Sequence, residues 1–124
     1  MTTRELTKHE RTILELLTAG EYPGADAARA QIAGARHAGE WSPGDPSFHL
    51  ATDESCPRLD VADGILRSSD RPLLGIDGSP GGGLMLWVTG GRISDVECYW
   101  FDDADRRLPA PEQITTWDDP RIGG

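Results

Sequence analysis

A chain of 124 residues with a formal net charge of −9 and no apolar run near the ~18 residues of a membrane span is expected to fold as one soluble domain over residues 1–124. The apolar share is 37%, and counting the 15 glycines raises it to about 49%, which is ordinary for a globular protein and speaks against disorder. Dividing the chain after Asp60 leaves six basic against ten acidic residues before it and six against eleven after it, so the acidity is spread. Such a surface repels phosphate backbones and anionic membranes, which disfavours sequence-general nucleic-acid binding and leaves a basic protein partner open.

The first periodic segment begins at Leu6. Thr7 followed by Glu10 makes a capping box, Ile13, Leu14 and Leu17 form one apolar stripe, and Gly20 is a stop, so a helix is expected over about 7–19. Tyr22-Pro23-Gly24 breaks the chain, and the Ala-rich stretch with Ala28 and Ile32 predicts a thinner helix over about 24–34. Residues 35–41 show no clean period, and Ser42-Pro43-Gly44-Asp45-Pro46 is dense in turn formers.

Phe48 and Leu50 alternate with polar neighbours, giving a strand over about 47–52. Thr52 to Asp70 reads as a loop with partial order. Leu73, Leu74 and Ile76 predict a strand over about 72–77, closed by Gly78 to Gly83 as a flexible connection. Strands over 84–89 and 92–101 then flank Gly90-Gly91, a pair suited to the positive φ angles of a two-residue hairpin turn. After Phe101, Pro109 and Pro111 exclude a long helix.

Helices followed by strands on short turns predict an α+β fold, with two N-terminal helices on one face of an antiparallel sheet of about four strands. In the hairpin, Leu84, Leu86 and Val88 share one side, and Met85 and Trp87 the other. Val96, Cys98 and Trp100 oppose Glu97, Tyr99 and Phe101. Ile93 lies three residues before Val96, so holding both inward needs a β-bulge near Ser94-Asp95.

No chemical motif rises above its bland alternative. His49, Asp53 and Cys56 are the most compact set of metal-ligating types, but they straddle a strand end and a loop, and no metal or cofactor is expected. Asp102, Asp103 and Asp105 lack the glycine turn and terminal glutamate of a calcium loop. Cys98 falls in a strand pattern and reads as core, while Cys56, before a proline, is the more exposed thiol. Gly78 to Gly83 leads into a strand, where a phosphate cradle would lead into a helix. Two cysteines without paired spacing or an apolar leader point to a reducing cytoplasm.

Two resemblances exist. Leu6 to Gly20 resembles the opening helix of helix-turn-helix regulators, but Tyr22-Pro23-Gly24 follows and the next helix offers only Arg29 as a base, so a DNA-binding regulator is the third and disfavoured expectation. The run from Leu6 to Arg11, the step from Tyr22 to Ala25 and the segment from Leu108 to Glu112 resemble a group of small uncharacterised actinobacterial α+β proteins. That likeness implies no activity. Members often carry cysteines before the first strand, and Ser42 to Pro46 has none. A single lysine beside eleven arginines suits a GC-rich genome.

The expectation is therefore a cytoplasmic interaction or binding module rather than an enzyme. Its candidate contact residues are Met85, Trp87, Glu97, Tyr99, Phe101 and Asp102, facing a second copy of the chain or a basic protein partner. The alternative is a small-ligand-binding protein or enzyme with a cavity between helices and sheet, walled by Tyr22, His49 and Trp100.

Overall fold

The computed structural model describes residues 2–102 and 106–123. Asp103 and Asp105 lie outside the described residues. Strand β1 (Arg4–Glu5) precedes helices α1 (Lys8–Leu17) and α2 (Ala25–Ala33). Then come β2 (Arg36–Glu40), β3 (Phe48–Ala51), β4 (Gly64–Ile65), β5 (Arg71–Leu74), β6 (Pro80–Thr89), β7 (Arg92–Trp100) and a short terminal helix, α3 (Pro120–Gly123). The fold is α+β, and among the described residues the sheet has seven antiparallel strands, more than the four expected.

Helix α1 starts where its capping box predicts. Thr7 accepts the Glu10 N–H at 3.1 Å and Glu10 accepts the Thr7 N–H at 2.9 Å, so two amides that no helical carbonyl could reach are satisfied. The same Glu10 carboxylate receives both guanidinium nitrogens of Arg4, at 2.9 and 2.8 Å, which ties β1 to the helix. Burial opposes the Glu10 charge, but the Arg4 fork and the Thr7 amide overcome it and hold the carboxyl below its ordinary range. Helix α2 has no side-chain cap and begins on Gly24 at φ +87°.

The order across the sheet is β1-β2-β3-β7-β6-β4, with β5 also paired to β6. Gly90 and Gly91 have φ of +60° and +77°, as the hairpin turn requires. The register passes from Trp87 opposite Asp95 to Val88 opposite Ile93, so Ser94 is the extra residue of the anticipated bulge and both Ile93 and Val96 are buried. One sheet face, with Phe48, Leu84, Leu86, Val88, Ile93, Val96 and Cys98, joins Ile13, Leu14, Leu17, Ala28 and Ile32 of the helices in one core. At roughly 25 cal/mol per Å² of apolar area removed from water, this layer contact is the main favourable term of the fold.

Two serine hydroxyls complete the sheet where short strands fall short. Beyond the end of β3, Ser47 Oγ accepts the Cys98 N–H at 2.8 Å and donates to the Cys98 carbonyl at 3.0 Å. Between β4 and β5, Ser69 Oγ accepts the Leu86 N–H at 2.9 Å. Both side chains are buried, so these backbone groups would otherwise have no solvent to bond.

Several sequence expectations need correction. The aperiodic stretch after Ala35 contains β2, whose alternation is broken by an irregularity between His37 and Glu40, with Gly39 at φ +115°. His37 is buried and stacks on Phe48 at 4.6 Å, so a polar letter marks a core position. The strand expected over 72–77 ends at Leu74, and Ile76 stands in the following turn, 77% exposed. Gly81 to Gly83 belong to β6, not to a flexible connection, because a Cβ at Gly82 or Gly83 would strike Tyr99. The segment before Asp70 contributes β4 and a single-turn helix, Arg67–Ser69, while Pro111–Gln113 forms another such turn.

Candidate functional site

The sheet face opposite the helices carries the site candidates. Alternation along β7 brings Asp95, Glu97 and Tyr99 to it, and the register sets Trp87, Met85 and Gly83 opposite them on β6. Across this pair the Trp87 indole N–H donates to Glu97 Oε1 at 2.8 Å, a diagonal contact that fixes both side chains. Tyr99 lies over Gly83, since an added Cβ there would stand 2.4 Å from both Cζ and the phenol oxygen. Burial, with Asp70 and Glu97 nearby, pushes the Tyr99 hydroxyl above its ordinary pKa. Phe101 follows the end of β7, 71% exposed, with its ring 6.1 Å from that of Tyr99.

Three residues that the sequence reading did not place here join them: Asp95 of β7, His49 of β3 and Trp41, just after β2. Asp95 Oδ1 accepts the Trp41 indole N–H at 3.1 Å and a second hydrogen bond from Nδ1 of His49, and the Trp41 and His49 rings are 6.4 Å apart. His49 sits opposite Asp95 across β3 and β7. Counting back two from Glu97 would have found Asp95. Trp41 depended on the β2–β3 pairing, which the irregularity near Gly39 obscures.

Met85 is only 7% exposed and forms part of the floor rather than the accessible surface. Trp87 and Glu97 are half-buried, while Trp41, Tyr99 and Phe101 present exposed ring surface. Asp102 stands apart, beside Phe101 in a cavity of about 360 Å³ with Ile76, Asp77 and Pro80. A second cavity, of about 300 Å³, opens where β7 runs past β3 and is lined by Trp41, Asp45, Ser47, Glu97, Tyr99 and Arg106, among others.

The proposed ligand walls do not converge. Tyr22 borders a cavity of about 450 Å³ with Val61, Ile65, Leu66 and Val88, Trp100 borders the cavity at the β3 end, and His49 lines neither. His49, Asp53 and Cys56 separate as well: His49 bonds Asp95, Asp53 accepts from Ser55, and Cys56 Sγ lies 3.6 Å from the Ala30 carbonyl. Among the described residues no group of three His, Cys, Asp or Glu could hold a metal ion. Both cysteines are free thiols, and burial pushes Cys98 up to about 12, far from a reactive thiolate. Arg29, the one base of the helix after the break, donates to the carbonyls of Thr18 and Gly20 and pairs with Asp26. Among the described residues no helix is long and apolar enough to cross a membrane.

Comparison with protein-family models, with curated proteins and with solved structures finds no match to this chain.

Proposed function

We propose that this protein is an interaction module whose uncovered sheet face docks a basic protein partner. The observation that carries the reading is one surface combining the exposed rings of Trp41, Tyr99 and Phe101 with carboxylates, Asp95 and Glu97, that are held in place by indole N–H donors. Aromatic rings supply contact area at small entropic cost, and fixed carboxylates select a cationic surface and raise its encounter rate. Self-association through the same face would bring together two chains of net charge −9, a repulsion that a basic partner does not meet.

The test couples capture from the native host with sedimentation of the purified protein. The expected result is a monomer that retains a basic protein at low salt, loses it at high salt, and loses it in an Asp95→Lys/Phe101→Ala variant that keeps its circular dichroism. A dimer broken by that double substitution, or an identical captured set for variant and wild type, overturns the reading.

A further inference from the structure

We propose that the cavity where β7 overruns β3 receives an arginine side chain of the basic partner, an inference that rests on the docking reading above. Two carboxylates and three aromatic residues line this one opening: Asp45 and Glu97, with Trp41, Tyr99 and Trp100. Each carboxylate is oriented from behind. Asp45 Oδ1 accepts the Ser47 N–H at 2.9 Å and its Oδ2 lies 3.3 Å from Ser42 Oγ, while Glu97 Oε1 accepts the Trp87 indole. A carboxylate offers about four acceptor positions, so these bonds leave capacity for an incoming donor.

The cavity's shape chemistry favours a guanidinium over an ammonium. A guanidinium is planar and weakly hydrated, stacks on aromatic faces, and presents forked N–H donors to carboxylates. An ammonium is compact, holds its water and gains less from flanking rings. At about 300 Å³ the opening has room for one long side chain. Its mouth lies on the proposed docking face, since Trp41, Glu97 and Tyr99 belong to both.

Arg106 also lines the opening and is the one cation among its described lining residues. Its charge opposes the entry of a second guanidinium, so it lowers the affinity of the subsite. That gives the proposal a substitution expected to strengthen binding, which a merely damaged fold would not do.

The experiment is a nitrogen-15 NMR titration of the full chain with acetyl-Gly-Arg-Gly-amide, alongside the lysine and citrulline forms of that peptide. The arginine peptide should saturably shift the Trp41 indole signal and the Ser47 and Tyr99 amides, with the uncharged citrulline form weaker by about tenfold or more, as expected for loss of a charge-assisted hydrogen bond. Asp45→Asn should weaken the response by about threefold, and Arg106→Gln should strengthen it about two- to fivefold, the range of partly exposed charge pairs. Equal response to citrulline or lysine, shifts scattered over distant carboxylates, or indifference to Asp45→Asn overturns the subsite. Partner capture that survives Asp45→Asn but is lost in the Asp95→Lys/Phe101→Ala protein would overturn the subsite alone. Specific peptide binding without a captured basic partner would overturn the docking reading alone.

Discussion

The ring of Tyr99 occupies the space that a side chain at Gly83 would need, so the backbone of β6 approaches the ring closely only because residue 83 has no Cβ. Gly83 is therefore a packing partner of the candidate site as well as a strand residue. Cross-strand contact of an aromatic with a glycine offsets the weakness that glycine brings to a strand interior.

Gly83→Ala should force Tyr99 off this position and destabilise the protein by about 1–3 kcal/mol, the range for overpacking a tight contact. Denaturant unfolding measures the loss. Adding Tyr99→Ala removes the clash, so the double variant should be less destabilised than the sum of the two single ones.

Gln31 is fully buried and joins three segments. Its amide N–H groups donate to the carbonyls of Pro57 at 2.8 Å and Gly91 at 3.0 Å, and its Oε1 accepts the Ile93 N–H at 2.9 Å. Gln31→Leu keeps the bulk but leaves the Ile93 N–H without this acceptor. A loss of about 2–4 kcal/mol is expected, and hydrogen exchange should rise first at the β6–β7 turn.

Ser47→Ala should cost about 1–3 kcal/mol by unpairing the buried Cys98 N–H. Amide exchange at Cys98 reports it directly. Little change there would mean that another group takes the place of the hydroxyl.

Stability should fall at both ends of the pH scale. Burial lowers the pKa of His37 and the nearby Arg4 charge adds to this, so the unfolded chain binds its proton more readily, and stability declines as pH falls through the ordinary value of 6.5. Glu10, also held low, adds a second loss below 4.5. Cys98 acts in the opposite sense: its contribution is complete below 9.0 and is lost as pH rises from there toward about 12. Unfolding free energies measured across pH should therefore show a plateau between the His37 and Cys98 limbs. Arg4→Ala should lower the plateau and flatten the acid limb, because Glu10 loses the partner that holds its carboxyl low and His37 loses a cation that lowers it, so both folded groups bind protons more nearly as the unfolded chain does.

How much of this was readable from local pattern differs by element. The Thr7–Glu10 box, the stripe at Ile13, Leu14 and Leu17, the Gly90-Gly91 turn and the bulge at Ser94 are all recoverable from residues a few positions apart, because capping, helical period and turn φ angles are short-range properties. Strand β2 was not, since His37 gains its core place by stacking on Phe48 and the break near Gly39 destroys the alternation. The glycines of β6 look flexible in isolation and become strand only against Tyr99.

The same division runs through the candidate site. Alternation alone places Glu97, Tyr99 and Phe101 on one side of the hairpin and the aliphatic residues on the other. The meeting of Trp41, His49 and Asp95, the burial of Met85 and the opening beside Asp45 arise only when β3 docks on β7. Period two is a property of a single strand, whereas strand order and the covering of a face are settled by long-range hydrogen bonding and apolar burial between distant segments.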